Sequence, residues 1–173
     1  MASYYYLISS LPMLRPDAEP ALDYTAFLGL CGTAVSQPVY QRLETLTVRS
    51  EKGPLLAEWA AFYGGLTTEL NYQRNLKLGR PCTLPGSREP DVTAAVTAAL
   101  AARNPLESEQ ILLKLQFSRL DSLIGLHNFD EFALFGYAMK LRLLERQRGF
   151  RYETGKQTFE GLLGNIRQQI FSM

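Results

Sequence analysis

The chain has 173 residues, 46% of them hydrophobic, and a formal charge of +1. That length fits one or two compact units able to bury about two-thirds of their unfolded surface, and the composition excludes a disordered or fibrous chain. With its basic residues scattered along the sequence, the balanced charge argues against nucleic acid as the main partner.

Taken in chain order, the first element is ambiguous. Tyr4, Tyr5, Tyr6, Leu7 and Ile8 have strand propensity, while their position before Ser9 and Pro12 also permits a short helix. Short helices are expected over residues 22–31 and 38–47. A longer one carries Leu55, Trp59, Phe62, Leu66 and Leu70 on one face and continues to about Leu78, a length of roughly 36 Å. Trp59 shares that apolar face and is expected to be buried. Gly64 and Gly65 stand in the middle of this helix. Each costs about 1 kcal/mol relative to alanine, so the pair is expected to kink the helix or to admit another helix closely.

Prolines and glycines then interrupt the helical pattern, which suggests a division into residues 1–80, a hinge at 81–90 and a C-terminal half at 91–173. Beyond the hinge, Val92, Ala95, Val96, Ala99 and Leu100 recur at helical spacing behind Pro90. Asn104, Pro105 and Glu107 form a start signal for the next helix, whose buried stripe is Leu113, Phe117, Leu120 and Ile124. Asp130 and Glu131 open a further helix that closes with Arg142, Arg146 and Arg148 before Gly149, the charge order that suits a helix dipole. Thr154 with Gln157 caps a last helix with an apolar face of Phe159, Leu162, Leu163, Ile166 and Ile170. Four helices in succession make the C-terminal half a bundle, and the whole is expected to be all-α, a multi-helix bundle with a short N-terminal strand as the alternative at Tyr4.

Chemistry-bearing patterns are scarce. His127 is the single histidine and lacks a second imidazole for a metal, so it is expected to be a turn or packing residue. Cys31 and Cys82 have no partner at C-x-x-C spacing and read as buried or inert thiols. The phosphate loop of nucleotide triphosphatases, the dinucleotide-binding glycine fingerprint and the hydrolase nucleophile elbow do not occur. Glu107 with Glu109, and Asp130 with Glu131, fall in first helical turns where capping explains them. Neither cofactor nor metal is expected. Residues 1–6 lack the positive region of a secretory signal, so a cytoplasmic home is expected. The Ala-rich run 92–102 is too short to span a bilayer, which leaves membrane association peripheral or through a partner.

Two stretches are more polar than a bundle requires: residues 69–78, with Asn71 and Arg74, and residues 140–148, with Arg142, Glu145 and Arg146. Each is either a solvated helix end with pairs such as Arg142 with Glu145, or a docking surface. The start from Tyr4 to Pro12 resembles that of a bacterial family whose members accompany the V/A-type ATPase. The region from Asn71 to Arg74 and the helix from Phe132 to Arg148 look like helices of the V/A-type ATPase central-stalk connector, the component called d in eukaryotes. That component is a longer chain of repeated helical units, so the likeness is to a shortened form. The resemblance implies a non-catalytic helical connector between the central shaft and the membrane rotor ring. It also implies partner contacts at Asn71, Arg74, Arg142, Glu145 and Arg146. One alternative is a free-standing helical adaptor or regulator of another protein. Another is a small enzyme with a pocket that gathers several of Glu69, Arg74, Arg142 and Glu145.

Overall fold

The computed structural model describes residues 4–149 together with Gly161. Among them are seven α-helices and no strand: α1 Tyr5–Ser10, α2 Tyr24–Cys31, α3 Gln37–Glu44, α4 Leu56–Lys77, α5 Pro90–Ala101, α6 Pro105–Ile124 and α7 Glu131–Arg148. The fold is all-α. The expected last helix, at residues 154–170, lies outside the described residues.

At the N-terminus the helical alternative holds and the strand does not. Tyr4 and Leu7, three residues apart, are both buried, and Ile8 N–H donates to Tyr4 O at 2.9 Å. Tyr4 N–H itself donates to Phe129 O at 2.7 Å, which fastens α1 to the turn ahead of α7. Leu11 is extended, as a residue before proline favours, and ends the helix.

Helix α4 is the longest element, with 22 residues. Leu55, at its N-cap, has a left-handed φ of 53°. Leu56, Trp59, Phe62 and Leu66 are buried along one face, and Trp59 Nε1 donates to Val48 O at 2.9 Å, so its polar edge is satisfied inside the core. The C-terminus follows the Schellman pattern: Gly79 N–H donates to Leu76 O at 3.1 Å, and Arg80 N–H donates to Asn75 O at 2.9 Å. Gly79 has φ +64°, which glycine adopts without the Cβ penalty.

The chain from Gly79 to Glu89 does not make a hairpin. It travels back along α4, so that Arg88 reaches Glu69, Gln73 reaches Thr93 O, and Lys77 Nζ donates to Leu100 O at 2.8 Å. Partners rise together in both helices, so α5 runs parallel to α4. Helix α6 then returns antiparallel, held by Ser108 Oγ to Ala99 O at 2.6 Å. Its start is built as its residues predict. Asn104 Oδ1 accepts from Glu107 N–H at 2.8 Å, and the Glu107 carboxylate accepts from Arg103 N–H, one residue before the cap. Asp130 likewise caps α7, accepting from Ala133 N–H at 3.1 Å.

Helix α7 is the centre of the molecule. Leu134, Phe135, Ala138, Met139, Leu141, Leu143 and Leu144 are all buried, so it is apolar around most of its circumference. Gly136 lets it approach its neighbours: a Cβ there would meet the Ile124 side chain, with Leu55 Cδ2 at 3.5 Å. One hydrophobic cluster takes residues from both sides of the 81–90 segment, including Phe27, Trp59, Val96, Phe117 and Phe135.

Gly64 and Gly65 stand differently, since a Cβ at either would meet nothing within 4 Å. Replacing both by alanine should therefore raise the unfolding free energy of the isolated protein, by up to about 1 kcal/mol per site. Gly136→Ala should lower it, by about 1–3 kcal/mol, through overpacking. Thermal unfolding followed by circular dichroism checks both signs.

Candidate functional site

The five residues singled out by the sequence separate into three groups with different surroundings. Arg142 and Glu145, on adjacent turns of α7, face α2. The Arg142 guanidinium carbon lies 3.4 Å from the centre of the Tyr24 ring, and Arg142 Nη1 is 3.4 Å from Glu145 Oε2. Glu145 Oε1 in turn accepts from Tyr24 N–H at 2.8 Å, placing a negative charge on the N-terminal end of α2, where the helix dipole favours it. Asp23 completes that end by accepting from Ala26 N–H. Tyr24 is buried and donates its hydroxyl to Leu43 O at 2.7 Å, which ties α2 to α3. Burial pushes the Tyr24 phenol up to about 12, opposed by the nearby Arg142 charge. Arg142 and Glu145 are thus engaged in the packing of α2 and α3 on α7.

Arg146 is exposed and bridges two helices: Nη1 donates to Tyr63 Oη at 3.0 Å, and Nη2 lies 3.7 Å from Glu109. Asn71 and Arg74 are exposed on the last turns of α4, and their side chains have no hydrogen-bond or ionic partner among the described residues. The structure therefore leaves Asn71 and Arg74 open, half-engages Arg146, and turns Arg142 and Glu145 inward.

A charged cluster lies between α4 and α5, where Glu69, a pocket candidate from the sequence, meets Arg88, which the sequence did not single out. Glu69 is only 3% exposed. Its carboxylate accepts from Arg88 Nη2 at 2.6 Å and Nε at 2.9 Å, the bidentate fork of a strong arginine pair, and from Gln73 Nε2 at 2.6 Å. The Arg88 hydrogen bond holds the Glu69 carboxyl below its ordinary value, against the upward push of burial. No local sequence signal marks this pair, since the partners stand 19 residues apart across an irregular connection.

Beside this pair runs a cleft of about 410 Å³, floored by Ala61 and Gly65 and bordered by Phe62, Val92 and Arg119. Of Glu69, Arg74, Arg142 and Glu145, only Glu69 borders it, and the Glu69 carboxylate is already taken. Arg119 is also paired, with Glu89 and Asp91. A second, wider groove of about 1100 Å³ separates the segment after α1 from α6 and α7. His127 lies in the turn before α7, hydrogen-bonded to Asp130 and stacked on Phe132 at 4.4 Å, as a turn and packing residue would be. Burial alone would raise the Asp130 carboxyl, but hydrogen bonds from His127 and Ala133 N–H bring it below the ordinary value. Cys31 is buried and its thiol is pushed up to about 12, whereas Cys82 is exposed, so the buried alternative holds for Cys31 alone. No group of three or more His, Cys, Asp or Glu among the described residues could hold a metal ion.

Exposed apolar side chains gather at the far end of α6. Tyr6 is 89% exposed and Leu126 is 97% exposed. Tyr5, itself exposed, lies 4.7 Å from Phe129 ring to ring. Patches of this kind on a folded surface mark contact sites. The start of α6 lies instead with the ends of α4 and α5, near Arg74, as the Ser108 and Lys77 hydrogen bonds require. The two surfaces are separated by the 20 residues of α6, about 30 Å.

The inward and outward arginines should respond differently to truncation. Arg142→Ala should lower stability by about 1–2 kcal/mol through loss of the cation–π contact and of the Glu145 partner. Arg74→Ala should change it by less than about 0.5 kcal/mol. Denaturant unfolding of the two variants reads the difference directly. Comparison of the chain with protein-family models, with curated proteins and with solved structures gives no match.

Proposed function

We propose that this protein is a non-catalytic helical connector that works by joining two partners, and that those partners are the central shaft and the membrane rotor ring of a V/A-type rotary ATPase. The observation that carries the connector part is the two-ended surface. One end of the bundle exposes Tyr5, Tyr6, Leu126 and Phe129, and the other, about 30 Å away along α6, exposes Asn71 and Arg74. Tyrosine and arginine are the side chains most enriched at protein contacts, because each combines a large contact area with polar anchoring. Between the ends lies a body of packed helices, stiff enough to transmit a displacement from one partner to the other.

The ATPase assignment rests on the resemblance of the Tyr-rich start and of the α4 and α7 segments to proteins of that system. Helix α4 supports it to the extent that Asn71 and Arg74 stay open for a partner, with the open glycines Gly64 and Gly65 on the same helix.

Both ends are tested in one experiment. Tyr6→Ser with Leu126→Ser, and Asn71→Ala with Arg74→Ala, should each leave the melting temperature unchanged. Each pair should also remove one set of proteins from a pull-down of the rotary ATPase: the aromatic-end pair the shaft, the α4-end pair the rotor ring. Loss of a central anchor commonly costs 2 kcal/mol or more of binding, about thirtyfold. Full retention by both pairs would remove the two-ended reading. Recovery of a different protein with no ATPase component would favour a free-standing adaptor.

A further inference from the structure

We infer that the end of the bundle formed by the C-termini of α4 and α5 rests on an anionic lipid surface, with Arg80 and Arg103 contacting headgroups. The sequence scatters its basic residues, but the parallel arrangement of α4 and α5 collects four at one place. Arg74 and Lys77 lie in the last turn of α4, and Arg80 follows the Gly79 turn. Arg103 follows the end of α5, where Lys77 Nζ bonds Leu100 O. No carboxylate occurs in residues 70–88 or 92–106, so no acidic side chain from either segment offsets them. Among the described residues, the side chains of Arg74, Arg80 and Arg103 have no partner, and Lys77 bonds a backbone carbonyl.

Helix dipoles explain part of this, because cations suit helix C-termini. The two C-terminal ends of α4 and α5 and the N-terminal end of α6 leave a net of only about −0.5 elementary charge. Four cations exceed it even after Glu107, whose carboxylate caps Arg103 N–H, is counted. The excess positive charge suits an anionic partner.

The apolar content of the same end favours a lipid surface. Leu78 is 64% exposed and Leu106 is 57% exposed, with Leu76 also exposed among the cations. Neither the cleft beside Glu69 nor the groove after α1 is lined by these residues. Leucines interleaved with arginine at an exposed helix end match the headgroup boundary, where apolar side chains dip in and cations stay at the phosphates. This surface contact needs no membrane span, and no helix among the described residues is long and apolar enough to cross one. The inference deepens the connector reading by assigning its α4 end to the membrane side.

The test uses the full chain without partners, so its failure is separate from a failed ATPase pull-down. The probes are vesicles of phosphatidylcholine alone and of phosphatidylcholine mixed with phosphatidylglycerol, read by co-sedimentation at low and high salt. The protein should bind the anionic vesicles only, and binding should weaken with salt. Each cation near such a surface contributes about fivefold, so Arg80→Gln with Arg103→Gln should lower partitioning about 25-fold at an unchanged melting temperature. Leu78→Ser with Leu106→Ser should lower it independently. Equal binding to neutral vesicles, no binding at low salt, or insensitivity to the arginine pair would each overturn the proposal. An arginine-pair defect confined to a protein pull-down would assign this end to an acidic protein instead.

Discussion

A carboxylate removed from water must find positive charge or hydrogen-bond donors, and Glu69 is almost wholly removed. Its position on α4 follows from helical periodicity: Phe62, Leu66 and Glu69 fall on one face, so an acid occupies a row that is otherwise apolar. The charge that meets it is Arg88, reached because the connection after Gly79 doubles back along α4. Gln73 joins the two helices further by donating to both Glu69 and Thr93 O while accepting from Thr97. The direction of α5 follows from this set of contacts. With α5 parallel to α4, α6 must return and α7 must come forward again through the core.

That order of directions gives the molecule its two ends. Were α4 and α5 an ordinary antiparallel hairpin, the C-terminus of α4 would meet the start of α5, and Arg74 would face Asp91. Instead two C-termini lie side by side, and the cations that accompany them accumulate. At the opposite end, the short turn between α6 and α7 carries Leu126 and Phe129, and the α1 segment is held there by the hydrogen bond from Tyr4 N–H to Phe129 O. One buried acid on α4 therefore bears on where both exposed surfaces come to lie.

Local signals in the sequence are legible where a residue acts on its own neighbours. Asn104 and Asp130 cap the helices that their positions predict, the α4 boundary falls at Leu78 and Gly79, and Trp59 is buried on the predicted face. The strand propensity of Tyr4 to Ile8 yields to the burial of Tyr4 and Leu7 on one helical face. What local patterns cannot give is which helix lies against which. Arg142 and Glu145 look from spacing alone like a solvated or docking pair, and only the placement of α2, 121 residues away from Glu145 at their hydrogen bond, shows them holding Tyr24. The pairing of Glu69 with Arg88 is hidden in the sequence for the same reason. The exposure of Asn71 and Arg74 is legible because they stand near the end of a long helix, away from its buried row.

The central claim is that a charged clasp, rather than shape alone, sets α5 against α4. Arg88 holds the folded-state carboxyl of Glu69 below its ordinary value of 4.5, so the stabilisation it brings is complete above that value. It is lost as the pH falls through the lower folded value. The direct measurement is the difference in unfolding free energy between the wild-type protein and Glu69→Gln, taken from neutral pH downward, with the other carboxylates common to both. The account predicts a less stable variant at neutral pH and a difference that shrinks steadily below about pH 4.5. A difference that stays constant from neutral to acid pH, or is absent throughout, would contradict it.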